Sequence, residues 1–191
     1  MPLSCLPEMV THTFHPEGVF LANLCDLSSD DAERVLDRFR ARGARRKTDY
    51  LNRRLETEAW LIEERKRLLG TTHRTRPIYF FLGNFADGKD ASRPCSLVMP
   101  LKAFAPETLT FTFPDSMASL PIAMLDKHAA KRKPYHGKVF SVAQIEHVVG
   151  EFGFPGNHWQ LAESSEDRFI EVQVWDERPI TEFVRDSCLC S

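Results

Sequence analysis

The sequence predicts an α+β fold in which N-terminal helices pack on a mainly antiparallel sheet. Three observations point there. Helical periodicity comes first along the chain and strand-like runs dominate from residue 77, whereas a doubly wound sheet would alternate the two. The runs at 109–113 and 169–175 alternate apolar and polar residues, as strands with one face in a core do. Apolar residues make up 42% of the 191, enough to build a core without a metal or disulfide staple. No internal repeat, low-complexity tract or Pro/Ser-rich linker divides the chain, so one domain over 1–191 is expected. A helical N-terminal subdomain over 20–72, if separate, would join the rest near Gly70–Pro77.

Each element has a local cause. Met9–His15 reads as a short strand closed by Pro16 and Gly18. Ser28, Ser29, Asp30 and Asp31 supply a cap and first-turn acids for a helix, whose apolar side is Ala32, Val35, Leu36 and Phe39 and which Gly43 ends. A second helix runs from about Tyr50 to Leu69 and stops at Gly70. Leu51, Leu55, Ala59, Ile62 and Leu69 form its expected buried stripe, widened by Trp60 and Leu61. Pro77–Leu82 is almost wholly apolar, as befits a central strand covered on both faces. A polar loop over 83–94 leads to a short strand at Ser96–Met99.

In Leu109–Phe113 the pattern directs Leu109, Phe111 and Phe113 inward and Thr110 and Thr112 outward. Pro114, Asp115 and Ser116 turn the chain, and a helix within 117–131 is expected to start at Pro121. Ser141 and Gln144 make a capping box for a third helix with Ile145, Val148, Val149 and Phe152 on one face and Gly153 at its end. After a turn at Gly156–Asn157, Phe169–Trp175 is the clearest strand, and Pro179 limits its extension.

Five cysteines, at 5, 25, 95, 188 and 190, contain no Cys-x-x-Cys pair. That leaves no signal for a zinc ribbon or a thioredoxin-like site and fits free thiols in a reducing compartment. The histidines at 12, 15, 73, 128, 136, 147 and 158 show no metal-ligand spacing. The N-terminus has neither a charged n-region nor a sustained apolar run, and no window approaches the length of a membrane span, so a cytoplasmic location is expected. Cys188-Leu189-Cys190-Ser191 has the form of a prenylation box without a polybasic lead-in.

The net charge of −2 conceals an uneven distribution. Residues 34, 38, 40, 42, 45, 46, 47, 53 and 54 are basic against two acids, Asp37 and Asp49, in that stretch. Lys127–Lys138 holds five basic residues and two histidines with no acid, and from Ser141 onward ten acids face three arginines. A basic face for an anionic partner is compatible with this asymmetry.

Candidate chemistry concentrates in the last strand. Ile170, Val172 and Val174 face one way, into the core, while Glu171 and Gln173 face the other between Phe169 and Trp175. An acid and an amide between two aromatics describe a cleft wall better than a solvated face. A carboxylate there can orient a hydroxyl or stabilise a cationic transition state. Tyr79 lies in an apolar strand, where a buried hydroxyl needs a partner, and His12 shares its register with Val10 and Phe14. His128 and His136 have no evident partner for acid–base work.

In chain order, His12, Tyr79 and Glu171 resemble the His-Tyr-Glu layout of ADP-ribosyltransferase folds, among them DNA-targeting ADP-ribosyltransferase toxins and RNA 2′-phosphotransferases. The resemblance covers Val10–His15, Pro77–Leu82 and Arg168–Trp175. It implies an NAD-using enzyme that acts on nucleic acid or protein. His12 and Tyr79 would hold NAD, Glu171 with Tyr79 would serve catalysis, and Arg93 or the loop at 133–138 would meet the pyrophosphate. Two departures accompany it. No His-Gly-Thr follows the first strand, and Gln173 stands where some members carry a second acid.

Two other classes share the sequence features. A non-catalytic module would bind nucleic acid or an acidic partner through Arg45, Arg46, Lys47, Lys131, Arg132 and Lys133, with Tyr50 and Trp60 nearby. A metal-dependent nuclease would gather Pro114-Asp115 and Glu171-Val-Gln173 around magnesium.

Overall fold

The computed structural model describes residues 6–16, 18, 20–41, 47–85, 93–155 and 167–188. Five strands, β1 (Met9–Phe14), β2 (Ile78–Leu82), β3 (Cys95–Pro100), β4 (Leu109–Thr112) and β5 (Glu171–Val174), form one sheet in the order β3-β1-β2-β5-β4. Every neighbouring pair is antiparallel. With the helices that cover it, this is the α+β architecture the sequence predicts.

Alternation along the strands sorts their side chains. Ile78, Phe80 and Leu82 of β2 share one face with Leu109 and Phe111 of β4 and with Val172 and Val174 of β5. That face meets two helices, α4 (Val142–Phe152) through Ile145, Val148 and Val149, and α5 (Arg178–Cys188) through Ile180. The capping box of α4 forms as expected, with the Ser141 N–H donating to Gln144 Oε1 at 2.9 Å. Phe152 departs from its expected place, being 40% exposed at the end of that helix. The C-terminal helix is an addition to the sequence reading. Pro179 sits in its first turn, where a missing N–H costs no intrahelical bond, so the residue expected to stop a strand begins a helix instead.

The opposite face of the sheet is covered by α2 (Tyr50–Leu69) and α3 (Ser116–Met124), and α1 (Ser29–Ala41) packs Ala32 and Leu36 against Leu51 of α2. The Ser28 hydroxyl caps α1 by accepting the Asp31 N–H at 3.2 Å. Here the expected burial is corrected in three places. First, α2 buries Leu51, Arg54, Thr57, Glu58, Leu61 and Arg65, while Leu55 is 38% exposed and Ala59 faces outward. The sheet beneath it presents Tyr79 and Trp175, and the helix turns toward them the guanidiniums of Arg54 and Arg65, 3.8 and 5.1 Å from the ring centres.

Second, Thr110 and Thr112 are fully buried, not solvated. Their hydroxyls complete a chain of hydrogen bonds with Gln173 and Trp175: Thr110 donates to Gln173 Oε1, Gln173 Nε2 donates to Thr112, and the Trp175 indole donates to Thr110, at 3.0, 3.1 and 2.8 Å. Third, α3 begins at Ser116, with Pro121 inside it, because the Asp115 carboxylate caps the helix by accepting the Ala118 N–H at 3.1 Å. Among the described residues no helix is long and apolar enough to cross a membrane.

Candidate functional site

β1 and β2 part company at one end of the sheet. Their pairing stops at Thr11 and Phe81, while β1 continues beside β3 as far as Phe14 and Cys95. A cavity of about 340 Å³ opens at this point, lined by both strand ends, by α2 and by the start of α3. It explains why Tyr79 and Phe81 of the middle strand are only half-buried, where a strand covered on both faces was expected.

His12 bridges the gap. Its Nδ1 lies 2.8 Å from the Tyr79 carbonyl, and since a carbonyl only accepts, Nδ1 carries the proton. Burial lowers the pKa of this imidazole, so the ring is neutral and Nε2 is a bare acceptor. That nitrogen is buried and has no partner among the described residues.

Tyr79 donates its hydroxyl to Glu58 Oε1, and burial holds that hydroxyl protonated by raising its pKa well above the ordinary value. The same Glu58 oxygen accepts from Asn23 at 2.7 Å, and Asn23 donates in turn to the Pro77 carbonyl at 2.9 Å. Arg54, one helical turn before Glu58 and 3.2 Å from it, lies over the Tyr79 ring. Burial opposes the charge on Arg54, but Tyr79, Glu171 and Glu58 around it outweigh burial and raise its pKa. It stays a cation although its own side chain is buried.

Glu171 sits at the other wall, paired across the sheet with Phe81 and Thr112. Its Oε1 accepts the Ser116 N–H at 3.3 Å and a Gln173 Nε2–H at 3.0 Å. Burial raises its pKa, Arg54 pulls it back, and the charge of Asp115 pushes it up again. Asp115 is likewise raised by burial, against the pull of the first amides of α3 and of Arg54 and Arg93. Arg93 lines the cavity too, its guanidinium 5.8 Å from the Phe81 ring centre.

The structure therefore brings His12, Tyr79, Arg93 and Glu171 together. It does not bring the 133–138 loop to them. Lys133, Tyr135 and His136 all bond to Asp167 instead, at 2.6, 2.8 and 2.8 Å. His136 thus has a partner that sequence spacing did not reveal. Lys131 and Arg132 lie on and beside an exposed 3-10 turn, away from the cavity lining, and Arg132 donates to the Ile122 carbonyl at 3.2 Å. Lys47 is exposed one turn before Tyr50, a cavity residue. Arg45 and Arg46, the Gly156–Asn157 turn and the last three residues of the prenylation box lie outside the described residues.

Arg54, Glu58 and Asn23 are the site residues that sequence reasoning missed. Arg54 was counted with the basic run at 34–54, yet it is 7% exposed. The signal was its four-residue spacing from Glu58 on the stripe shared with Leu51 and Leu61, which puts an ion pair where a core residue belongs. No family model matches the chain, and no curated protein or solved structure matches it.

Proposed function

We propose that the cavity binds NAD and that the protein is an ADP-ribosyltransferase-like enzyme acting on nucleic acid or protein, with Glu171 as its catalytic carboxylate. The observation that carries this reading is the convergence of His12, Tyr79, Arg93 and Glu171, from four separate stretches of chain, on one cavity. The surrounding groups suit the ligand. A volume of about 340 Å³ is at the low end of the ~300–1,000 Å³ of small-molecule sites. It accommodates one end of a dinucleotide while the remainder extends past the mouth. Phe14 and Phe81 offer flat apolar walls, and Arg54 and Arg93 offer cations to a pyrophosphate. When nicotinamide leaves, positive charge develops on the ribose, and the Glu171 carboxylate in the cavity wall faces it. Tyr79, fixed through its hydroxyl by Glu58, keeps its ring beneath Arg54 and so keeps that cation in place.

Convergence of Asp115 and Glu171 favours a metal-dependent nuclease as the second reading. Against it, no three or more of the described His, Cys, Asp and Glu residues are grouped to hold a metal. Arg54 also already acts on both carboxylates. Calorimetry with NAD on the wild type and on Glu171→Ala, beside an assay for nicotinamide release, tests the proposal. Both proteins should bind NAD saturably, and release should fall by about 10²–10³-fold in the variant. Absence of NAD binding by the wild type overturns the reading in favour of a binding module for nucleic acid or an acidic partner.

A further inference from the structure

Gln173, at the place where some ADP-ribosyltransferase folds carry a second acid, is fully buried and engages its amide with Thr110, Thr112 and Glu171. It does not line the cavity. The second carboxylate there comes from a different element, Asp115 at the head of α3. Asp115 sits beside Glu171: the N–H of the very next residue, Ser116, donates to the Glu171 carboxylate. An independent sign of a ligand site is His12, a buried residue of the cavity wall whose Nε2 has no partner among the described residues.

We propose that Asp115 is the base that takes the acceptor's proton during transfer, an assignment that rests on the NAD reading above. In this step the bond from ribose to nicotinamide breaks and its electron pair leaves with nicotinamide. The acceptor heteroatom bonds the same ribose carbon, and its proton passes to the Asp115 carboxylate and then to water. Nicotinamide, the ADP-ribosylated acceptor and one proton are the products. The acceptor class this implies is a neutral group with a proton to lose, a hydroxyl or an N–H.

The division of labour follows from position. Glu171 is held by two donors at one oxygen and lies nearer the sheet floor, which suits a fixed charge facing the ribose. Asp115 caps α3 through Oδ1. Burial also raises its affinity for a proton above that of a surface aspartate, which improves a base.

A purely structural role as helix cap makes a different prediction, and Asp115→Asn separates the two. Asparagine caps a helix as well as aspartate does, so the melting temperature should hold, but it cannot accept a proton. With water as the acceptor, nicotinamide release from NAD should fall by about 10²–10⁴-fold in Asp115→Asn with KM for NAD unchanged. Sodium azide, a nucleophile with no proton to lose, should restore release in Asp115→Asn but not in Glu171→Gln. Release by Asp115→Asn within a few-fold of the wild type reduces Asp115 to a cap and overturns the assignment, as does a folded Asp115→Asn that azide does not restore. A wild type that releases no nicotinamide with either nucleophile overturns the NAD reading itself, and this assignment with it.

Discussion

On one face of the sheet, Phe80, Phe111, Val172 and Val174 meet Ile145, Val149 and Ile180, apolar against apolar. On the other, Tyr79, Thr110, Glu171 and Gln173 meet a helix that offers them Arg54, Glu58 and Arg65. The same strands build both. The first face gains from burial wherever shapes fit, because the hydrophobic effect has no direction. The second depends on its donors and acceptors meeting partners, since a buried polar group left alone costs about 1–3 kcal/mol. A protein needing only stability would make both faces alike. The difference teaches where the fold gathers titratable groups: at the end of the second face, burial raises the pKa of two carboxylates, Asp115 and Glu171.

The contrast can be attacked from either side. The largest effect belongs to the apolar face. Phe111→Ala removes a fully buried ring and should cost about 3–5 kcal/mol in urea unfolding, while leaving NAD affinity of the folded protein intact. A loss of affinity would show that the faces are not separable.

Next comes Arg54→Met, which strands Glu58 and Glu171 without their cation. Breaking a buried pair should cost about 3 kcal/mol. Because Arg54 draws the pKa of Glu171 down, the acid limb of nicotinamide release should also move to higher pH. An unmoved limb would mean that Arg54 serves packing alone.

The smallest effect, and the most telling, is Glu171→Gln. The folded pKa of Glu171 is raised above its ordinary 4.5. Its contribution to stability is therefore complete below pH 4.5 and is lost as pH rises through the folded value. Near neutrality the amide should stabilise the protein, by about 0.5–2 kcal/mol, and the gain should vanish below pH 4.5. Thermal unfolding across pH measures this. A less stable variant at pH 7 would make Glu171 an ordinary structural partner.

The apolar face was largely legible. Period-two alternation in 109–113 and 169–175 placed Leu109, Phe111, Val172 and Val174 inward, and the capping box located the start of α4. Those signals are local and depend only on residue type. The polar face was misread because its side chains look like surface ones. Thr110 and Thr112 are buried against Gln173, and Arg54 and Glu58 against Tyr79, groups from distant segments that no local window contains; only the Arg54–Glu58 pair itself lies within one turn of helix. The same limit hid α5, whose opening Arg178-Pro179 serves equally to end a strand. Of the cavity-lining residues, Glu171, Tyr79 and His12 were singled out through their order along the chain. Asp115 was seen as a turn and a nuclease echo, and Arg54 as one more surface charge.

The position of β5 between β2 and β4, bonded on both edges, has a consequence for folding fidelity. A slip of one residue would carry Glu171 and Gln173 into the apolar layer and turn Val172 and Val174 toward Arg54. The misplaced carboxylate and amide would lose their donors, and Arg54 would keep Glu58 but lose Glu171 as a countercharge. The polar residues of the site thus proofread the register of the last strand, and a chain that pairs it wrongly is penalised on both sides of the sheet at once.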